Sequence, residues 1–277
     1  MTQITASQVN DLRKQTGAGM MDCKKALVET NGDFEKAIDV LRKKGQKVAA
    51  KRADRAASEG VVLALTDSDH RTGGLISLNC ETDFVAKNNS FIELANSILM
   101  LALKNHCKDI ESIQSLSIEG SMSVNDKLIE QTGVIGEKIE LSNYFIIQSD
   151  YVTGYIHPGN KLAALVGFDK TFDGIDELGR NIAMQIAAMN PFGLDENGVP
   201  KEIINKEIEI GKDLARKEGK PEDMLDRIAQ GRLKKFFKEN TLLHQTYIKD
   251  SKLTISQYLK SSGFDLGVVD FKRVNLG

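Results

Sequence analysis

The chain has 277 residues, of which 41% are hydrophobic and 27% are charged, a composition typical of soluble globular proteins with more than one domain. Its net charge of −2 and its isoelectric point near 6.2 argue against a dedicated nucleic-acid-binding protein. The charge is uneven, because residues 1–57 hold twelve Lys and Arg against seven Asp and Glu, whereas the rest of the chain is acidic. A basic N-terminal segment on an acidic body indicates an oriented surface for a partner.

Cysteine usage and hydropathy indicate the compartment. Three scattered cysteines, Cys23, Cys80 and Cys107, form neither a disulfide framework nor a CxxC metal site, so reduced thiols are expected. The first residues contain no apolar signal-peptide region, and no stretch approaches the ~18 apolar residues of a membrane span. The sequence therefore predicts a bacterial cytoplasmic protein without a membrane segment.

Residues 1–55 are predicted to form three short helices that end in a basic connector. Thr5 and Gln8 have the spacing of a capping box, and the helix that they begin is expected to end at the glycine-rich residues 16–19. A second helix is expected to end at Asn31 and Gly32, and a third to begin with Asp33 as its N-cap. Three helices in about fifty residues make a small domain with little core of its own.

Beyond Gly60 the pattern changes to strands, and one order of elements occurs twice. A strand, a hairpin, a second strand, a short polar link with a phenylalanine and an amphipathic helix are predicted between residues 60 and 102, and again between 154 and 189. The first link reads ETDFVA and the second DKTFDG, which lacks the acid directly before the phenylalanine. We interpret the repetition as an internal duplication that gives two α+β subdomains, residues 56–143 and 144–199.

Two amphipathic helices between residues 200 and 238 are predicted to form an antiparallel hairpin around the KEGKP turn at residues 217–221. The stripe on the first helix includes Ile203, Ile210 and Leu214, and each arm would span ~25–27 Å. Residues 239–277 then contain a helix and a strand that we expect to complete the sheet of the second subdomain. The predicted fold class is therefore α+β, with a three-helix N-terminal domain, two related subdomains and an inserted helical hairpin.

The motifs of common enzyme classes are absent from the sequence. No GxxxxGK[ST] phosphate loop occurs, and GAGMMD at residues 17–22 resembles a dinucleotide fingerprint but lies between helices instead of after a strand. The four histidines show neither HExxH nor paired metal-ligand spacing, and there is no GxSxG turn. The sequence predicts a protein that is not an enzyme and that needs no metal or cofactor.

A run of seven Lys and Arg between Arg42 and Arg55 is the feature most suggestive of phosphate contacts. It lacks interleaved aromatic residues, so a solvated helix face is the simpler explanation. Nucleic-acid binding is accordingly not expected.

The segment LNCETDFVAKNNSF, residues 78–91, places Phe84 between an acid and the start of a helix. One alternative is that the ring packs into its own core, with Thr82 or Asp83 as the N-cap, and spacing alone favours it. The other is that the ring is held out for a partner, where its burial would contribute about 1.5–3 kcal/mol. The two alternatives predict opposite effects of removing the ring.

Several segments together resemble the bacterial elongation factor Ts family of guanine-nucleotide exchange factors for elongation factor Tu. They occur in the family order over nearly the whole chain: LRKQTGAGMMDCKKALVETNGDFEKAI, NCETDFVAKN, GYIHPGNKLAALV, MQIAAMNP and QGRLKKF. The resemblance implies a three-helix domain like the ubiquitin-associated (UBA) domain, two related α+β subdomains, a helical hairpin and a C-terminal module. It also implies elongation factor Tu as the partner.

By the same resemblance, the exchange motif comprises Thr82, Asp83, Phe84 and Val85. In the family, the phenylalanine ring enters between two helices of the GTP-binding domain of Tu and disturbs the site that holds Mg²⁺ and the phosphates. The resemblance implies further contacts with Tu at five residues: Met20, Met21, Lys24, Ile135 and His157. Plain core packing is the alternative for Ile135. Two other kinds of function stay open at this point, an adaptor that only binds and an RNA-binding accessory factor.

Overall fold

The structure is a computed structural model that describes residues 4–277. Half of the described residues are helical and 22% are in strands, so the predicted α+β class is confirmed. Within the described residues, no helix is both long enough and apolar enough to cross a membrane. The α-helices are α1 Ala6–Thr16, α2 Met20–Glu29, α3 Phe34–Arg52, α4 Asp83–Ala86, α5 Asn89–Lys104, α6 Ile110–Gln114, α7 Val124–Ile135, α8 Ile175–Met189, α9 Lys201–Lys217, α10 Leu225–Asn240 and α11 Ile255–Lys260. The strands are β1 Glu59–Thr66, β2 Thr72–Cys80, β3 Ser117–Glu119, β4 Met122–Ser123, β5 Glu140–Gln148, β6 Tyr151–Ile156, β7 Leu162–Phe168, β8 Thr246–Tyr247, β9 Asp250–Thr254 and β10 Val268–Asn275.

The three N-terminal helices begin where local sequence signals predict, but α3 extends further than expected. The Thr5 side chain accepts a hydrogen bond from the backbone of Gln8, whose own side chain accepts from the backbone of Thr5, so the predicted capping box is confirmed. Helix α1 ends at Gly17, which has the left-handed φ of 69° that suits glycine. Asp33 caps α3, as predicted. The basic connector is not a separate segment, because most of it forms the second half of α3.

Helix α3 connects the N-terminal helices to the rest of the molecule. Its first half contributes Ala37 to a small core that also contains Leu12 and Leu27. Its second half packs on α7, where Gly45 and Gly133 meet so closely that a Cβ on Gly133 would lie 2.5 Å from the Cα of Gly45. The N-terminal helices therefore have their own core but are joined to the first subdomain along α3.

The first subdomain is a three-stranded antiparallel sheet, with strand order β1-β2-β5, covered on its outer face by α5. The sequence patterns predicted β1, β2 and α5 but none of the elements between α5 and β6. Strand β5 pairs with β2 from Glu140 to Gln148. The boundary expected between residues 143 and 144 therefore falls inside a strand of the first sheet, and this sheet ends at Gln148 instead.

The second subdomain repeats the arrangement with the strand order β10-β7-β6 and with α8 on its outer face. The last strand, β10, pairs with β7 from Val268 to Asn275, as predicted for the end of the chain. The two sheets stack face to face across a third buried cluster that includes Val62, Leu75, Val152 and Leu165. This stacking makes one continuous framework of the two subdomains.

Helices α9 and α10 form the predicted antiparallel hairpin. Their closest approach uses small residues, since a Cβ on Gly211 would lie 3.1 Å from the Cα of Ala229. The small residues Gly211 and Ala215 are the ones buried in α9, whereas Ile210 and Leu214 are 39% and 40% exposed. The apolar stripe predicted for the first helix of the hairpin is therefore partly wrong.

Candidate functional site

Phe84 lies on the surface of the molecule and is 82% exposed. Strand β2 ends at Cys80, and α4, of four residues, places Phe84 second in its only turn. Phe91, one helix later, is 2% exposed and fills the core of the first subdomain. The alternative that Phe84 packs into its own core is therefore wrong.

The residues around Phe84 hold the short helix α4 at both ends. Thr82 is its N-cap, and the hydroxyl accepts a hydrogen bond from the Val85 backbone at 3.5 Å. Val85 is half-buried against the first core, and Ala86 is buried in it. The exposed ring therefore stands on a turn whose neighbouring side chains are anchored.

Asp83 is negatively charged beside this ring. Its carboxylate accepts a hydrogen bond from Lys87 Nζ at 2.6 Å, one helical turn later. This bond lowers the pKa of Asp83 below its ordinary value of 3.8. Asp83 and Phe84 thus present an anionic group and an apolar ring side by side.

Glu137, which the sequence patterns did not single out, holds the turn before the motif. One carboxylate oxygen accepts from the backbone N–H of Glu81 at 3.1 Å and from that of Thr82 at 3.0 Å. The other oxygen accepts from the Thr82 hydroxyl at 2.7 Å. No local sequence signal marks Glu137, because its partners lie 55 and 56 residues earlier in the chain.

Glu81 makes a second set of bonds at the same turn. Its carboxylate accepts from the Lys138 backbone N–H at 2.6 Å and from Arg52 of α3 at 2.7 and 2.9 Å. The Lys138 N–H, and after it the Arg52 guanidinium, lowers the pKa of Glu81 below its ordinary value of 4.5. Burial raises the pKa of the neighbouring Cys80 thiol to about 12, so this thiol stays neutral and donates to the Thr82 carbonyl at 3.2 Å.

The other residues implied by the family resemblance differ in exposure. Met20 and Met21, in the first turn of α2, are 46% and 63% exposed, and Lys24 is exposed one turn later. Ile135 is half-buried at the end of α7 and packs against the first core, as the core-packing alternative predicts. His157 is exposed in the turn after β6, where its Nδ1 lies 3.0 Å from the Tyr155 hydroxyl.

Contacts connect several of these segments. The turn that contains His157 touches the first sheet: the Asn160 carbonyl accepts from the Val62 N–H at 2.6 Å. In the same turn Lys161 pairs with Glu59 at 2.7 Å. Glu59 pairs with Cys80 at the end of β2, so this turn lies next to the strand end that precedes Asp83. A second contact joins the N-terminal helices to α7: a Cβ on Gly17, which follows α1, would lie 3.7 Å from the Val134 side chain.

Among residues 4–277, the structure brings no three His, Cys, Asp or Glu side chains together as a group that could hold a metal ion.

Comparison with known proteins identifies the family. Residues 81–277 match the family model described as Elongation factor TS. Over the full length of both chains, the protein is 57% identical to Elongation factor Ts of Christiangramia forsetii and 53% identical to that of Flavobacterium psychrophilum. It is 50% identical to Elongation factor Ts of Amoebophilus asiaticus over 99% of each chain. The chain therefore belongs to the elongation factor Ts family of protein-synthesis elongation factors.

Proposed function

We propose that this protein is a guanine-nucleotide exchange factor that binds elongation factor Tu in its GDP-bound form and accelerates the release of GDP. The observation that supports this most directly is Phe84, an aromatic ring that is 82% exposed on a turn held by buried neighbours. A large apolar ring in water has unused burial energy, which makes it suited to enter a partner. The proposed site of action is the bacterial cytoplasm, where translation elongation takes place.

The proposed mechanism is insertion of Phe84 between two helices of the GTP-binding domain of Tu. The insertion would move the elements that position Mg²⁺, which bridges and neutralises the phosphates of GDP. A thousandfold faster release requires only ~4 kcal/mol off the barrier. Burial of the ring, with hydrogen bonds to the charged Asp83, is of that size. Linkage also applies to the two binding equilibria. The factor by which this protein weakens the affinity of Tu for GDP must equal the factor by which GDP weakens the affinity of Tu for this protein.

The remaining contacts are proposed to position Tu against the motif. Met20 and Met21 offer exposed, flexible apolar side chains, and Lys24 offers a charge on the same helix. His157 lies in the turn whose Lys161 pairs with Glu59, next to the end of β2. Ile135 is the fifth proposed contact, through the part of its side chain that the core leaves accessible.

We interpret the three N-terminal helices as a UBA-like domain that carries part of this partner surface. The proposed division of the chain assigns residues 1–55 to that domain, 56–143 and 144–199 to the two subdomains, 200–238 to the hairpin and 239–277 to the C-terminal module. Because β5 pairs with β2 as far as Gln148, we propose that the first of these subdomains extends to about residue 148 instead of 143.

The experiment that tests the function is release of a fluorescent GDP analogue from purified Tu. The protein is added at substoichiometric amounts, so that one molecule must act on several Tu molecules. Faster release supports exchange. A stable complex without faster release would instead support an adaptor, and salt-sensitive retention of RNA without either effect would support an RNA-binding accessory factor.

A further inference from the structure

We propose that Glu137 is a positioning residue for the exchange motif: its carboxylate fixes the backbone turn from which Phe84 is presented. The inference rests on the proposed exchange function for its consequence, but its structural part can be measured without Tu. Glu137 does not need to touch the partner for this role, because it acts through Glu81 and Thr82.

The hydrogen bonds of Glu137 occupy donors that the chain does not satisfy locally. The backbone N–H groups of Glu81 and Thr82 lie between the end of β2 and the start of α4, and both donate to one oxygen of Glu137. A carboxylate that accepts several N–H bonds makes strong, charge-assisted contacts. Gly136, with a φ of 82°, ends α7 immediately before Glu137. This left-handed residue lets the chain leave the helix and bring the carboxylate to the turn.

The bond to the Thr82 hydroxyl explains how Glu137 influences α4. A hydroxyl has one proton to donate and lone pairs to accept with. Because the proton of Thr82 goes to Glu137 at 2.7 Å, a lone pair is left for the Val85 N–H, and this is the N-cap bond of α4. A four-residue helix is far too short to be stable alone, so it depends on such contacts.

Hydrogen bonds run both ways between the turn at Glu81 and the segment after α7. Glu81 donates its N–H to Glu137, and its own carboxylate accepts from the Lys138 N–H. Arg52 supplies a positive charge to the Glu81 carboxylate. Phe84, being 82% exposed, has few contacts of its own, so its position follows the backbone that these bonds hold. A motif held in its binding conformation loses less entropy when the partner arrives.

A fluorescent reporter measures the structural part of the proposal. The chain contains no tryptophan, so Phe84→Trp places a single indole reporter in the motif. Time-resolved anisotropy then measures the nanosecond motion of the indole ring. Glu137→Ala in this background is expected to increase the amplitude of fast local motion. The matched control is Glu111→Ala, which removes an exposed carboxylate from α6 and is expected to leave the motion unchanged.

Two variants separate the hydrogen bonds from a general loss of folding. Glu137→Gln keeps one acceptor oxygen for the two backbone N–H groups, so it is expected to recover most of the restriction of the indole reporter. Thr82→Val removes both bonds of the hydroxyl, the one to Glu137 and the N-cap bond from the Val85 N–H. Because the bond to Glu137 is lost in either variant, the effects of Thr82→Val and Glu137→Ala on the motion of the indole should be less than additive. Circular dichroism and thermal unfolding on the same samples show whether the fold is intact. Unchanged motion of the indole reporter in folded Glu137→Ala, or no recovery with Gln, overturns the proposal.

The functional consequence is measured with the native Phe84. Glu137→Ala is expected to lower the acceleration of GDP release by about tenfold, corresponding to ~1.4 kcal/mol of lost transition-state stabilisation. Glu111→Ala should retain full acceleration. If the unmodified protein does not accelerate release, the exchange function fails while the anisotropy result still decides the role of Glu137 in holding the turn. If Glu137→Ala frees the indole reporter but leaves exchange intact, the turn is held by Glu137 and the positioning role in exchange is wrong.

Discussion

Phe84 and Phe91 lie seven residues apart and have opposite environments, since Phe84 is 82% exposed and Phe91 is 2% exposed. Helix α5 carries an apolar stripe that begins with Phe91 and packs on the first sheet. Phe84 precedes that helix on a separate turn whose inward positions are taken by Val85 and Ala86. The environment of each ring follows from which helix carries it and not from the residue type.

The two phenylalanines provide a matched pair of truncations. Phe84→Ala should change the free energy of unfolding by less than about 0.5 kcal/mol, because an exposed ring leaves no cavity. Phe91→Ala should cost about 3–5 kcal/mol, the usual loss for a core phenylalanine. Release of fluorescent GDP, measured on the same Phe84→Ala sample used for denaturant unfolding, should lose most of its acceleration. Strong destabilisation by Phe84→Ala with normal exchange would place the ring in the core and contradict the proposed site.

A carboxyl titration tests the contacts of Glu81. Its pKa is lowered first by the Lys138 N–H and then by Arg52. Arg52→Gln should therefore raise the pKa of Glu81 toward 4.5 but leave it below, since the backbone bond remains. A pKa lowered in the folded state stabilises the fold above the unfolded pKa, and this contribution is lost as the pH falls through the folded value. The difference in the free energy of unfolding between the unmodified protein and Arg52→Gln should accordingly disappear in acid.

Carbon-13 NMR of the labelled side-chain carboxyl groups gives the pKa directly. Lys36→Gln is the control, because it removes an equal charge from α3 next to Asp33 instead of Glu81. In that variant the pKa of Asp33 should rise and that of Glu81 should stay in place. No shift of Glu81 in Arg52→Gln would show that this ion pair is not maintained in solution.

At the scale of elements, the docking of α3 on α7 depends on two glycines. Gly45 and Gly133 let the helix backbones approach where a larger residue would separate them. The sequence patterns identified α3 but predicted no helix at residues 124–135, so this contact could not be foreseen. A glycine inside a helix looks like a weak point when only the sequence is considered, since glycine is a poor helix former. Here its small size is what the packing requires.

Gly133→Ala tests this contact. In an isolated helix the change would be favourable by about 1 kcal/mol, but here the new Cβ would overlap the backbone of Gly45. Because the helices would be forced apart, the change should be unfavourable here and destabilise the protein by about 1–3 kcal/mol. The control is Gly231→Ala in α10, which has open space around it and should stabilise slightly. Equal effects of the two changes in thermal unfolding would show that α3 and α7 do not pack closely.

At the scale of the whole molecule, features with local signals were predicted and long-range features were missed. The Thr5 capping box, the Asp33 N-cap and the hairpin arms each depend on residues a few positions apart, and all three were found. Strand β5 was not predicted, although it completes the first sheet by pairing with β2 some seventy residues earlier. Glu137 was not predicted either, because its hydrogen-bond partners are distant in the sequence and only the fold brings them near. Phe84 was singled out by its position between an acid and the start of a helix, but spacing alone favoured the core, and its exposure could be decided only from the structure.

The helical hairpin is attached to the second subdomain through a narrow base. The chain enters and leaves it side by side, with the N–H groups of Leu242 and Leu243 donating to the carbonyls of Gly193 and Leu194 at 2.9 Å. The hairpin also has a separate small core around Leu233 and Phe237. These features make it an inserted unit that the two sheets do not need in order to form their own cores.

Replacing residues 200–238 by a short Gly- and Ser-rich link should preserve most of the acceleration of GDP release. The exchange motif is held by Glu137, Glu81 and the first core, none of which belongs to the hairpin. The melting temperature should fall, because the stacking of Phe236 on Phe192 and the hairpin core are lost. Ile210→Ser combined with Leu214→Ser is the companion variant, since it keeps the hairpin but removes exposed apolar side chains. If the shortened protein folds yet fails to accelerate release, the hairpin takes part in exchange directly. Normal activity of the Ile210→Ser, Leu214→Ser variant would then show that the hairpin does not act through these two side chains.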